Sequence, residues 1–247
     1  MKGCTAAEDG LDYTPLLEQI EDFGRQVQLL LGQCRLLLCL GDPALLSLMG
    51  SQARETGRLL GAVTGATEAR ALTRQQAPSL VMLSDQLAEG DAYDLLEWLK
   101  SRVEPIQVLL LISQGHRRRA IQRAIRAGCD GIVLQTRFGS GALLAALQAL
   151  SRGGIYVDRE LHQSLHLDRE DSGPLQALTE RELEVLQALA AGASNQEMGA
   201  QLYLSGDTIK THLSNALRKL PARNRTHAAV LALRWGLIDW PQPSKPS

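Results

Sequence analysis

Residues 194–220 read SNQEMGAQLYLSGDTIKTHLSNALRKL, and the way helices divide this stretch decides what the C-terminal part of the chain is. Ser194, with Glu197 three residues on, forms a capping box: the hydroxyl takes an orphan first-turn amide and the glutamate reaches back to the cap. Ser205 supplies a second cap. The spacing therefore predicts one helix over 195–202 and another over 206–220. Only Tyr203, Leu204 and Ser205 lie between them, so the two helices must meet at a tight angle, as in a helix-turn-helix. Projected at helical spacing, Ile209, Leu213, Ala216, Leu217 and Leu220 make one apolar stripe that has to be buried. Asp207, Thr211, Ser214, Asn215 and Arg218 lie opposite, with Lys210 and Lys219 on the shoulders. Short polar side chains edged by lysines suit a major groove: the backbone can approach base edges while the cations reach phosphates. An ordinary solvated face in a small bundle has the same pattern, and the pattern alone does not choose.

Working outward, Thr179 and Glu182 form a second capping box that predicts a helix over 179–191, and Asn224 caps a last helix over 225–235. The whole string LTERELEVLQALAAGASNQEMGAQLYLSGDTIKTHLSNALRKLPARNRTHAAV, residues 178–230, resembles the LuxR/NarL/FixJ helix-turn-helix family. The match runs through LTxRExEVL, the G-x-SNxE block, the LxxS-xx-TIKxH block, KL and NRT-x-A. The resemblance implies base contacts from Lys210, Thr211 and Ser214. It implies phosphate contacts from Asn195, Ser205, Thr208, Lys219 and Arg223, and a dimer contact through Ala228, Ala229 and Leu231. Asp207 fits a helix-dipole acid at the first turn better than a cytosine reader.

The charge distribution agrees. The 247-residue chain has a formal net charge of -1, which excludes any argument from bulk charge. From Thr208 to Gly236, however, there are Lys210, Arg218, Lys219, Arg223, Arg225 and Arg234 and no acid, a local polyanion-binding signature. Cys4, Cys34, Cys39 and Cys129 show no C-x-x-C pair and no histidine at ligand spacing. Free thiols in a reducing compartment are expected, with a redox sensor at Cys34, Cys39 or Cys129 as the other reading. No metal and no cofactor are expected. The longest apolar stretch, 27–40, contains Gln28, Gln33 and Arg35 and is too short to span a bilayer. The opening MKGCTAAEDG is polar and acidic, unlike a secretory signal. The expected location is cytoplasmic, nucleoid-associated when the chain is bound to DNA, with no membrane partner.

The N-terminal half alternates apolar runs with helical patterns. Strands are predicted at 36–40, 60–63, 80–83, 108–112 and 131–134. Helices are predicted at 43–57, 66–76, 93–102, 117–127 and 141–152. Unbroken runs such as LLLCL and VLLLI are those of parallel strands buried on both faces. The expected fold is therefore α/β plus all-α: a five-stranded parallel (βα)5 domain joined to a four-helix helix-turn-helix domain. Its segments are an extension at 1–34, an α/β domain at 35–157, a linker at 158–177, the helical domain at 178–240 and a Pro/Ser tail at 241–247. In the extension, Thr14-Pro15 opens an amphipathic helix over 14–33, which either packs across the domain or pairs with its twin in a dimer, the second being favoured.

The five-strand order, with PSLVMLS, AGCDGIVLQ and SRGGIYVD, resembles a response-regulator receiver of the CheY type. That family's phosphotransfer needs a strand-three carboxylate as nucleophile, strand-one acids for Mg²⁺ and a strand-five lysine. In the register fixed by Pro43, Pro78 and Gly128, Leu40 and Gly41 stand at the acid positions, Ser84 at the nucleophile and Gln135 at the lysine. Ser113 keeps the switch hydroxyl. The resemblance thus implies a pseudo-receiver, with Asp42 and Asp85 in place only after a one-residue slip that turns side chains to the other face. His116 to Arg119, Arg123 and Arg126 read equally as a solvated basic helix or as a docking site for an acidic regulatory protein.

Two functions follow. One is a DNA-binding transcriptional regulator acting as a homodimer on double-stranded DNA and not controlled by aspartate phosphorylation. The alternative is a pseudo-receiver adaptor that signals through protein contacts. No catalytic residues are expected.

Overall fold

The computed structural model describes residues 17–104, 106–113, 118–161 and 174–240. Helix α1 (Leu17–Leu31) precedes a β/α series. The series runs β1 (Leu36–Cys39), α2 (Pro43–Arg54), β2 (Leu59–Val63), α3 (Ala66–Gln76), β3 (Leu80–Ser84) and α4 (Ala92–Lys100). It continues with β4 (Gln107–Ile112), α5 (Arg118–Ala127), β5 (Gly131–Leu134), α6 (Ala142–Ser151) and β6 (Tyr156–Val157). The described strands form one sheet in the order β2-β1-β3-β4-β5-β6, every pair parallel. Five strands were expected. The sixth is the two-residue edge Tyr156–Val157, pairing with Gly131 and Ile132, too short to leave a periodic signal in the sequence.

Each central strand divides its side chains between two cores, as period-two geometry requires. Leu37, Cys39, Val81, Leu83, Val108, Leu110 and Ile132 face α3, α4 and α5. Leu36, Leu38, Leu80, Met82, Leu109, Leu111 and Val133 face α1, α2 and α6. Two of the helices that flank the sheet start on side-chain caps. Asp42 accepts from the Ala44 amide at 2.8 Å, and Asp91 from the Tyr93 and Asp94 amides.

Helix α1 packs across the sheet domain, with Val27, Leu30 and Leu31 in the second core. Of the two readings of this helix, packing across the domain is the one its described residues show, with Leu29 left exposed. The proposed start at Thr14-Pro15 and the tail at 241–247 lie outside the described residues. Asp158 and Leu161, placed in the linker by sequence, are buried in the sheet domain, where the Asp158 amide extends the edge by donating to Ile132. Residues 162–173 of that linker are outside the described residues.

The C-terminal helices are α7 (Glu180–Ala190), α8 (Asn195–Leu202), α9 (Gly206–Lys219) and α10 (Arg225–Arg234). They enclose a third core of Val185, Leu186, Leu189, Met198, Ile209, Leu213 and Ala216. This domain packs tightly on the first. Val230 of α10 is buried in the core that α5 covers, and Asn224 Nδ2 donates to the Ile125 and Arg126 carbonyls at 3.3 and 3.1 Å. At Gly154 a β-carbon would drive into the Gly192 carbonyl, so this close backbone approach between the halves requires glycine.

Candidate nucleic-acid interface

Both capping boxes form. Thr179 Oγ1 accepts from the Glu182 amide at 3.3 Å and Glu182 Oε2 accepts from the Thr179 amide at 2.8 Å. Ser194 and Glu197 repeat the arrangement at 3.2 and 2.8 Å. Between α8 and α9 the chain turns at Tyr203, which closes α8 at φ 57, while the Leu204 amide returns to the Gly199 carbonyl at 2.8 Å. A β-carbon at Gly199 would crowd the Leu204 carbonyl, so this glycine lets the turn fold back on its own helix. Ser205 then caps α9, its hydroxyl accepting from the Thr208 amide at 3.1 Å and sharing a hydrogen bond with the Thr208 hydroxyl.

This frame orients α9. Ile209, Leu213, Ala216 and Leu220 are buried, while Leu217 is only partly covered. Lys210, Thr211 and Ser214 are exposed together. Lys210 leans on Asp207 at 3.0 Å with both side chains largely in solvent, a tether too weak to hold the ammonium there. Thr211 Oγ1 donates to the Asp207 carbonyl, which places its methyl and hydroxyl along the helix. The three residues expected to meet bases therefore share one open face.

The expected phosphate set divides. Ser205 and Arg223 are exposed, and Thr208 sits beside Ser205 at the start of α9. Asn195 begins α8, its Oδ1 buried and without a hydrogen-bond partner among the described residues. Lys219 is engaged within the chain. Its ammonium binds Glu182 Oε2 at 2.7 Å, with side-chain exposures of 20% and 4%, and so ties the end of α9 to the capping box of α7. Burial alone would raise the Glu182 carboxyl, but Lys219 and the Thr179 amide and hydroxyl hold it below the usual carboxylate range. Sequence reading missed this pair because its members lie on different helices. Lys219 on the shoulder of the α9 stripe and Glu182 in the capping box gave no pairing signal. The expected dimer residues Ala228, Ala229 and Leu231 are all buried within the single chain.

At the receiver-like site, the Ser84 hydroxyl accepts from the Gly41 amide at 2.9 Å and donates to the Gln86 carbonyl. Leu40 is buried. A β-carbon at Gly41 would strike the Gln86 carbonyl and the Leu87 backbone, so no acidic side chain fits there with this loop in place. Asp42 is spent capping α2. Asp85 accepts from the Ser113 amide and hydroxyl at 3.1 and 3.2 Å, which joins it to the switch-hydroxyl position. Gln135 opens the 3-10 turn after β5. Among the described residues no group of three or more His, Cys, Asp or Glu could hold a metal.

Two further expectations resolve. Arg123 binds Asp91, Asp94 and Glu97, with the Glu97 contact at 2.8 Å, so it staples α5 to α4, while Arg126 is exposed; residues 114–117 lie outside the described residues, and the side chains of Arg118 and Arg119 are not among those described. Cys39 and Cys129 are fully buried, and burial pushes both thiols up to about 12, which disfavours the thiolate that sensing needs; Cys34, the third candidate, is half-buried and burial raises its thiol as well. Cys4 lies outside the described residues.

A capped helix pair with a three-residue turn, carried beside a parallel α/β domain, defines a helix-turn-helix regulator with a receiver-like module. Residues 176–232 match the family of bacterial regulatory proteins, luxR family. Over 169 residues the chain is 30% identical to the nitrate/nitrite response regulator protein homolog of Haemophilus influenzae, covering 68% of this chain and 80% of that one. Over 182 residues it is 30% identical to response regulator protein VraR of Staphylococcus aureus, covering 73% and 86%. Among solved structures, the RcsB response regulator of Salmonella typhimurium aligns at 18% identity and TM-score 0.47, covering 78% of this chain and 96% of that chain. The chain belongs to the LuxR/NarL-type response regulators. Among the described residues no helix is long and apolar enough to cross a membrane.

Proposed function

We propose that this chain is a transcriptional regulator that binds double-stranded DNA as a homodimer and is not controlled by aspartate phosphorylation. The observation that carries the reading is the open face of α9, where Lys210, Thr211 and Ser214 stand exposed on a helix held from behind by Ile209, Leu213 and Ala216. In this reading those three meet base edges, and Ser205, Thr208, Asn195 and Arg223 meet phosphates. Lys219 serves instead to position α9.

Independence from phosphorylation is supported by what occupies the receiver-like site. Ser84 cannot form the mixed anhydride that a carboxylate forms, and the loop backbone fills the space an acid at position 41 would need. Ala228, Ala229 and Leu231 are buried with the helical domain's own core, Ala229 also lining the seam between the domains, so dimerisation through them requires α10 to shift and the seam to open.

Gel shift with duplex DNA tests the reading. The wild type is expected to bind, and Lys210→Ala with Ser214→Ala to lose about tenfold or more in affinity. Equal binding by both proteins favours the adaptor reading. Incubation with acetyl phosphate and Mg²⁺ is expected to leave the protein unmodified; an acid-labile adduct at Asp85 overturns the second half of the proposal.

A further inference from the structure

The seam between the two domains holds a cleft of about 560 Å³, inside the ~300–1,000 Å³ range of small-molecule sites. One wall is α6 with the edge-strand segment that follows it, and the other is residues 190–192 with α10 and Trp240. Four features of the lining point to a ligand.

Three arginines line it: Arg137, Arg152 and Arg159. Arg137 is held by Glu160 at 2.6 Å, and Arg152 reaches Glu197 at 3.6 Å with most of its side chain in solvent. No ion pair engages Arg159 among the described residues. The second feature is the start of α6. Gly141 gives its first turn no side-chain cap, and Gly141 and Ala142 line the cleft, which brings the partial positive charge of the helix start to its wall.

Third, Asp158 stands in the wall at 1% exposure. Its Oδ1 accepts from the Glu160 amide at 3.2 Å and lies 3.9 Å from Arg137. Its Oδ2 is buried with no hydrogen-bond partner among the described residues. Burial raises the Asp158 carboxyl above its ordinary value, and an orphaned buried acceptor carries a desolvation cost that a donor would remove. Fourth, Leu233 and Trp240 give the far side an apolar surface.

We propose that this interdomain cleft is a binding site for a small organic anion, its charged group held by Arg152, Arg159 and the start of α6, its N–H or O–H donor meeting Asp158, and its flat apolar body lying against Leu233 and Trp240. The site stands apart from the DNA-reading face and from the receiver-like pocket, and it does not depend on whether α9 reads DNA. Because its walls come from both domains, an occupant binds the closed arrangement in preference to an opened one, so the ligand acts as an input to the regulator.

The probe is 1-anilinonaphthalene-8-sulfonate, which carries a sulfonate, an N–H and an aromatic body, titrated into the full chain and read by its own emission and by energy transfer from tryptophan. One saturable site is expected. Arg152→Ala with Arg159→Ala is expected to weaken it by about tenfold, and Asp158→Asn to weaken it as well. Ala145→Trp, on the exposed cleft side of α6, should block it, while Arg54→Ala on α2 should leave it unchanged. N-phenyl-1-naphthylamine, which lacks the sulfonate, should bind far more weakly. Far-UV circular dichroism and a melting curve on each variant separate loss of the site from loss of fold. Unsaturable emission, equal affinity for the neutral dye, or unchanged affinity in the folded arginine variant overturns the proposal.

Discussion

The pair Glu182–Lys219 shows how one residue serves two structures. Glu182 closes the capping box of α7 and also anchors the last turn of α9, so the helix that exposes Lys210, Thr211 and Ser214 is fixed to the helix behind it. Lys219→Ala leaves that buried carboxylate half-satisfied and should cost about 2 kcal/mol, read by urea unfolding; a change below about 0.5 kcal/mol removes the positioning role. Its loss should weaken DNA binding less than Lys210→Ala does. The acid dependence has a definite sign. Glu182 is held low by the opposing effects described above, and Glu197 is held low by the Ser194 amide against a smaller burial effect. Carboxyls depressed on folding stabilise the fold above the unfolded carboxyl pKa, about 4.3, and that contribution is lost as pH falls through their folded values. Glu182→Gln with Glu197→Gln should flatten the acid limb of a stability–pH curve below about pH 4.5. Gly41→Asp, offered as a repair of the receiver-like site, should instead destabilise the chain, because its side chain meets loop backbone.

At the scale of elements, the sequence was read well wherever local chemistry decides. The caps at Thr179, Ser194, Ser205 and Asn224, and the buried strands of alternating face, all follow from residues a few positions apart. Ser194→Ala should cost about 1 kcal/mol for the same local reason, measurable by thermal unfolding; a neutral result means the box is dispensable. What the sequence hid depends on neighbours distant in the chain. Strand β6 is two residues long and exists because Ile132 and Gly131 offer an edge. Helix α1 has a stripe that any apolar partner would satisfy, and its placement on α6 and α2 is set by the shape of the sheet domain. Arg123 reads as a free surface cation until α4 brings three acids to it. The candidate DNA face was legible because its polarity is local to one helix, whereas the Lys219–Glu182 pair was not, because its members sit on two helices.

For the molecule as a whole, the exposed cations around α9 are Lys210, Arg218 and Arg223. About three phosphates neutralised per subunit give a dimer a log–log salt slope of about -5, and a nearly flat slope in duplex titrations would exclude this surface. The face of α10 that covers α5 is closed by Val230. Val230→Asp puts a charge into that contact and is expected to open the chain and raise the dimer fraction in light scattering. An opened protein that stays monomeric takes dimerisation away from Ala228, Ala229 and Leu231. Asn224 has a further consequence. One side of its amide accepts from the His227 backbone at 2.8 Å, and the other side grips two carbonyls of α5. Parting the domains therefore strips restraint from the residue that seals the first turn of α10. In hydrogen exchange, the leading amides of that helix should lose protection in step with the seam, so that separation and fraying register as a single cooperative event.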